Sequence, residues 1–391
     1  MNWPRRSRET TPREQFQPPH CPHRCCPQHR IESPHERFRY KRNASYLRKC
    51  DGRRIARFRC NACGRGFSSQ SFAVSYYAKR PELIRPTAKA LCAGSAHRQI
   101  ARSLGCSHST VNRIAARLGR HCMLLQALAL EHLDGIHEPV VLDDFETFVS
   151  SQLDALGLAT PVGHQSWFVF GVDPAPHRRG GRLTPSQRRK LKRRKKPLPA
   201  RGGVKQSFSR VFDLLELVMA PDEHLTLYSD KHPACPAALA AHALASRTTL
   251  LVFPNPRRGP KGSPRSLEAR LRDAAMFPVD LLHRLLRHTG AHHRRETIAF
   301  GRRINAVVEG VWVVVVWRNF VKGRSERKPD RRTPAMLKGL ADAPWSWERV
   351  LAQRLFPDRI RVPKAWMKVY RRDWDTEEAG PMTRHRRVNA Y

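Results

Sequence analysis

The stretch Val140-Val141-Leu142-Asp143-Asp144-Phe145-Glu146-Thr147-Phe148-Val149 decides how the chain is read. An apolar run turns into an alternating pattern, which predicts a central strand carrying Asp143. Acids are scarce, with 33 Asp and Glu against 73 Lys and Arg, so a carboxylate on a core strand is informative. Ser166-Trp167-Phe168-Val169-Phe170-Gly171-Val172-Asp173 reads as the hairpin partner of that strand. Further on, Leu225-Thr226-Leu227-Tyr228-Ser229-Asp230 is a strand ending on a carboxylate, and Lys231-His232-Pro233 turns into an Ala-rich helix over 234–245. Thr248–Phe253 is another strand, and the amphipathic segment Val279–Arg287 carries Asp280. Two carboxylates on strands and one on a later helix suit two divalent ions, which activate a water or a 3′-hydroxyl in phosphodiester chemistry. Oxygen ligands favour Mg²⁺.

The 391 residues allow two or three domains, and the net charge of +40 narrows the partner. Self-repulsion at that density disfavours compaction unless a polyanion neutralises it, so nucleic acid is the expected partner. An unfolded packaging protein is excluded by 40% hydrophobic residues and eight Trp, which imply folded cores. The longest apolar run, Val311–Trp317, is far short of the roughly 20 residues of a spanning helix. The basic N-terminus lacks the apolar stretch of a secretory signal. Residues 1–19 read as a disordered tail, 358–391 as a basic, turn-rich tail, and 176–205 as a basic insertion. That insertion has thirteen Lys or Arg between Arg178 and Lys205, and it is either a solvated loop or a clamp on phosphates.

Six of the ten Cys fall within residues 20–70, a pattern of metal binding in a reducing compartment rather than of a disulfide framework. Cys60-Asn-Ala-Cys63-Gly64 is a knuckle whose two-residue gap lets both thiolates face one ion. The other half is Cys21-Pro-His-Arg-Cys25-Cys26. Two pairs joined by a strand-like segment over 53–59 make a zinc ribbon with one structural Zn²⁺ on Cys21, Cys26, Cys60 and Cys63. Cys25 competes with Cys26, and His20, His23 and His29 could substitute.

Residues 80–135 read as helices, and His97–Ile114 has the grammar of a helix-turn-helix. Ile100, Ala101 and Leu104 form one apolar face, Gly105 supplies a left-handed turn residue, and Ser107 caps the next helix. Val111, Ile114, Ala115 and Leu118 give that helix a core face. Its other face offers His108, Ser109, Asn112, Arg113 and Arg117 to bases and phosphates.

Taken together, CPHRCCPQH with RFRCNACGRGFS, then RQIARSLGCSHSTVNR, LDDFETF, LYSDKHPAC and RRETIAFGRRINAVVEGVWVVVVWRNFVK resemble bacterial insertion-sequence DDE transposases. The resemblance implies an α/β protein: a zinc ribbon over 20–70, a helix-turn-helix domain over 80–135, and a ribonuclease-H-like catalytic domain over 137–357, a mixed sheet with flanking helices. It implies an enzyme that cuts DNA at the ends of its mobile element and joins them to a target, in a homodimer or higher assembly on double-stranded DNA. It also implies a cytoplasmic, nucleoid-associated protein with no membrane partner. The catalytic triad falls on Asp143, Asp230 and Asp280, which would hold two Mg²⁺ (or Mn²⁺) ions. Position 280 is Asp where Glu is usual, position 283 is His where Asn is usual, and Glu296 is the alternative third acid. The resemblance makes residues 304–320 a helix, whereas the β-branched and aromatic VWVVVVW reads as a strand. The alternative reading is a non-catalytic zinc-ribbon and helix-turn-helix DNA-binding protein, a decayed or repurposed transposase.

Overall fold

The computed structural model describes residues 16–31, 37–194, 197–256, 259–260, 262–327 and 329–374. The chain opens with a small antiparallel sheet of β1 (Tyr40–Leu47), β2 (Arg54–Cys60) and β3 (Gly66–Ser68), in that order. On β2, Ala56, Phe58 and Cys60 face inward while Arg57 and Arg59 face solvent. Its core is confined to Cys21, Cys26, Ala56, Phe58, Cys60 and Phe67, with aromatic rings around them. So small a core needs a further link to be stable. One of those rings belongs to Phe16, which packs on Phe58 and Phe72. The disordered tail expected over 1–19 therefore does not extend to Phe16, and residues 1–15 lie outside the described residues.

Three helices follow: α1 (Ile84–Cys92), α2 (His97–Ser103) and α3 (His108–Glu131). Gly105 at φ +57° makes the turn between α2 and α3, and the Thr110 N–H donates to the Ser107 hydroxyl at 3.3 Å to start α3. The first part of α3 is apolar on one face only. From His121 to Ala127 it is buried on all sides, and Leu118 to Leu130 belongs to the same hydrophobic cluster as the central sheet. The boundary placed near 135 is therefore not a break in packing, because α3 runs from the helical pair into the core.

The central sheet is built from β4 (Val140–Asp144), β5 (Thr147–Val149), β6 (Ser151–Gly163) and β7 (Asp173–Pro176). It continues past α4 (Pro185–Lys192) and α5 (Gly203–Val218) with β8 (Leu225–Ser229), α6 (Ala234–Leu239) and β9 (Thr248–Val252). β4 and β5 lie end to end along one edge of β6, while β7 pairs with its other edge. β8 lies parallel to β4 and β9 parallel to β8. The resulting order β7-β6-β4-β8-β9 is a mixed sheet flanked by helices, compatible with a ribonuclease-H-like fold.

The partner of β4 is thus β6, not the expected Ser166–Asp173, which forms only the bridge Val162↔Val169 before β7 starts. β6 is hidden in the sequence by Ala155, Gly157, Ala159, Pro161 and Gly163, residues of low strand propensity. Burial rather than propensity makes it a strand, since its last nine residues are buried. Gly157 is required there, because a Cβ would stand 2.3 Å from the Asp144 carboxylate. The helix expected over 234–245 also stops early, at Leu239. His242 Nδ1 accepts the Leu244 N–H at 3.0 Å and starts a 3₁₀ turn over Ala243–Arg247.

α7 (Leu267–Thr289) crosses the sheet beside β4 and β6. α8 (Ile304–Val316) and the π-helical turn Trp317–Val321 contain VWVVVVW, so the strand reading of that run fails. A side chain buried on every side gains the same apolar transfer in either backbone, and packing against α3 selects the helix. By length and composition Ile304–Val321 could cross a membrane, yet 78% of that window is buried inside the protein. α9 (Pro334–Leu337), α10 (Trp347–Ala352) and α11 (Lys364–Tyr370) complete the described chain. α11 corrects the tail expected from 358: Trp366 is buried with its ring 4.4 Å from that of Trp312, and Val369 is buried too. Residues 375–391 of that tail lie outside the described residues.

Candidate active site and metal centre

The four sulfurs of Cys21, Cys26, Cys60 and Cys63 all lie within 4.8 Å of one another. The Cys21–Cys63 and Cys26–Cys60 separations are 3.8 and 3.7 Å. A zinc ion bound to four sulfurs at about 2.3 Å has tetrahedral edges of about 3.8 Å. The cluster could hold a metal ion and is consistent with a structural zinc. Cys26, not the exposed Cys25, belongs to the four-sulfur cluster. Burial pushes the Cys21 and Cys26 thiols up, which a divalent cation would reverse by taking the thiolate form. The neighbouring histidines serve other ends: His29 pairs with Asp358 at 3.0 Å, and the His20 ring packs on Phe356. With Arg354 donating to the Ser71 carbonyl, these contacts dock the small sheet on the C-terminal segment.

Asp143 and Asp230 sit at the C-terminal ends of β4 and β8. The parallel register pairs Leu142 with Ser229, so Asp143 and Asp230 are the next residues on neighbouring strands. Asp143 is pushed up to about 7, chiefly by burial and then by the charge of Asp230, with Asp144 and Asp280 adding to it. The Asp144 N–H bond at 2.8 Å opposes this only in part. Asp230 accepts the His232 N–H at 2.9 Å, which fixes the turn after β8.

Asp280 reaches the cluster from α7, but Arg272, eight residues earlier on the same helix, holds both of its oxygens. One turn after Asp280, His283 places Nδ1 3.6 Å from Asp143 Oδ2 and Nε2 2.8 Å from the Thr160 hydroxyl. Its imidazole is pushed down to about 3, by burial first and then by Arg287 and Arg272. Arg287 lies over the Phe145 ring and donates to the Glu146 carbonyl, pinning the chain after β4. Glu296 is not brought to this cluster. It is exposed on the loop after α7 and lines an open cleft of 580 Å³ with Phe148, Ser151 and Gln152. Among the described residues, only the four cysteines bring three or more ligand atoms all within 4.8 Å, so the carboxylates stand further apart than a filled metal site would hold them.

Two contributors were not anticipated from sequence. Asp144 points to the opposite side of the strand from Asp143. Its Oδ1 is buried with no hydrogen-bond partner among the described residues, and burial pushes the acid up to about 6, with His177 opposing. The doubled acid in Leu142-Asp143-Asp144-Phe145 was the available signal. Arg272 gave only a weak signal, a cation two helical turns before Asp280.

On α3, His108, Ser109, Asn112 and Arg113 are exposed. Asn112 accepts from His97 of α2 at 2.6 Å. Arg117 departs from the expectation. It is half-buried and donates to the Val74 and Tyr76 carbonyls at 2.6 and 2.8 Å, because residues 74–76 cross α3 at that turn. In the basic insertion, Arg188, Arg189, Lys190 and Lys192 on α4 are exposed, while Arg194 pairs with Asp154 at 2.6 Å. Lys195 and Lys196 lie outside the described residues.

No family model matches the chain, and no curated protein matches it.

Proposed function

We propose that this protein is a DDE-type DNA transposase that cuts DNA at element ends and joins the 3′-hydroxyls to a target. The observation that carries the reading is the parallel register that sets Asp143 and Asp230 side by side at the ends of β4 and β8, where the partly exposed Asp143 is raised to about 7 by burial and by the neighbouring Asp230 and Asp280. Such a group lacks a cation. Among the described residues the basic side chain paired with it is His283, and that imidazole is neutral. Hard oxygen donors with unbalanced negative charge fit Mg²⁺ or Mn²⁺. Asp143 and Asp230 would hold the ions with help from Asp280, and the bound metal would supply activation of water or a 3′-hydroxyl and stabilisation of the leaving oxygen.

The rest of the chain suits the same activity. Arg287 and Thr160 hold the β4 end in place. The exposed face of α3 would read element ends as the second helix of a helix-turn-helix, beside a zinc ribbon, and α4 would lie on phosphates. The net charge of +40 favours a polyanion over any small substrate. One observation favours the non-catalytic reading, a DNA-binding regulator: Arg272 neutralises Asp280 and so competes with any metal for the third acid. Metal-dependent cleavage of DNA carrying the sequences that flank the gene separates the two readings. End binding without cleavage would assign the regulator.

A further inference from the structure

Trp167 stands at φ +62°, a left-handed backbone that is strained for a bulky side chain. Its neighbours hold the turn: the Glu138 carboxylate accepts the Gln165 and Ser166 N–H groups at 2.7 and 2.8 Å, and the Trp167 N–H donates to the Gly163 carbonyl at 3.0 Å. The indole presented in this way carries two guanidiniums. Arg324 lies 4.1 Å and Arg318 5.4 Å from its centroid, and the exposed Phe277 ring stands 5.3 Å away. Arg318 is 3% exposed and donates to the Gly323 carbonyl at the long distance of 3.5 Å. The Nε of Arg324 is buried with no hydrogen-bond partner among the described residues. The nearby acids are engaged elsewhere: Asp330 accepts two bonds from Arg332 at 3.0 Å, and Glu138 faces Lys338 at 3.6 Å as well as the turn. Burial, then the charge of Arg324, pushes Arg318 down to about 10, which leaves it protonated at neutral pH. Burial pushes Arg324 down too, with Asp330 opposing. Two like charges with spare donors and no acid of their own are costly where water is scarce, and an anion beside them offsets that cost.

We infer that Arg324, backed by Arg318 and stacked on Trp167, binds a phosphate of the DNA backbone and gives the protein a sequence-blind DNA contact apart from α3 and the carboxylates. The inference rests on the proposed reading of the protein as DNA-binding. The site lies at the other end of the sheet from the carboxylates, because Gly163 pairs with Val140 at the start of β4, about 10 Å before Asp143. A guanidinium fork matches two phosphate oxygens, and stacking on the indole fixes the fork before the ligand arrives. DNA is favoured over an acidic protein segment by the surroundings. Lys322–Arg332 carries six Lys or Arg against two acids, and Arg327, Arg331 and Arg332 are exposed. A second copy of this chain, at +40, would be repelled.

The test uses the full-length, zinc-loaded protein and a duplex of random sequence. In the unaltered protein, the duplex should protect Arg324 from phenylglyoxal, read residue by residue by mass spectrometry, and this needs no variant. Arg324→Gln should lower the slope of log K against log salt by about 0.9, and equally for random DNA and for DNA carrying the sequences that flank the gene. Trp167→Leu should lower the slope in the same way, and Trp167→Phe should restore it, which a merely structural role for the ring would not produce. Protection by millimolar inorganic phosphate but not by the duplex overturns the assignment to DNA. DNA binding with Arg324 unprotected and the slope unchanged in Arg324→Gln overturns this inference and leaves the proposed function standing. Failure of the unaltered protein to bind any DNA overturns both.

Discussion

Replacing Asp143 with Asn should stabilise the metal-free protein at alkaline pH, although it removes the residue most central to the site. The folded protein holds this carboxyl at about 7 against 3.8 for the free group. Moving an acid that far withholds about 4 kcal/mol from the ionised folded state. The Asp143 side chain is 21% exposed, so water reduces that figure and about 2 kcal/mol is a fairer value. The sign follows from proton binding. Between 3.8 and about 7 the folded state holds a proton that the unfolded state has released, so stability falls as pH rises. The contribution is fully present below 3.8 and is lost as pH passes through about 7. Asn keeps the shape and carries no charge at any of these values. Thermal unfolding of zinc-loaded protein in magnesium-free buffer at pH 5.5 and 8 provides the assay. Asp143→Asn should gain roughly 4–8 °C in Tm at pH 8 and clearly less at pH 5.5. Millimolar Mg²⁺ or Mn²⁺ should then raise the Tm of the unaltered protein and leave the variant unchanged. A variant less stable than the unaltered protein at both pH values, with no metal effect on either, would refute the idea that the cluster lacks a cation.

Other consequences follow from the same geometry. Purified protein should contain one zinc per chain, and Cys60→Ser should release the ion and unfold the small sheet while the central sheet keeps its protection from hydrogen exchange. Arg113→Ala should cost about 1–3 kcal/mol in binding to element ends relative to random DNA if it reads a base, measured by fluorescence anisotropy. Arg117→Ala should instead lower stability by about 2 kcal/mol by leaving the Val74 and Tyr76 carbonyls without their donor, with little change in sequence discrimination. Neutralising Arg188, Arg189, Lys190 and Lys192 on α4 should flatten the slope of log K against log salt by about 0.9 for each phosphate no longer neutralised, and an unchanged slope would make α4 a solvated helix.

The parts legible in the sequence were those whose chemistry and local pattern agree. Val140–Asp144 pairs an apolar strand with an acid, and the Cys60–Cys63 spacing brings both sulfurs into one four-cysteine cluster. Gly105 and Ser107 mark the turn between α2 and α3. The structure also brings Asp280, rather than Glu296, toward Asp143, because α7 crosses the sheet while Glu296 follows on an exposed loop. What escaped was set by tertiary context. β6 is a strand because the core covers it, despite its Gly, Ala and Pro. The Val311–Val316 run is a helix because it is surrounded by α3 and the core. Arg117 leaves the exposed set because residues 74–76 pass over it. The ion pair between Arg272 and Asp280 bears most on function and had the weakest sequence signature.

The most direct measurement of the central claim uses duplex DNA carrying the sequences that flank the gene, incubated with zinc-loaded protein and Mg²⁺ or Mn²⁺. Strand cleavage at the element ends should follow and leave 3′-hydroxyls. It should be abolished in Asp143→Asn and Asp230→Asn, with end binding preserved to within about twofold, because the helical pair proposed to bind is separate from the carboxylates. Tight end binding with no cleavage in either metal, or cleavage that persists in Asp143→Asn, would contradict the transposase reading.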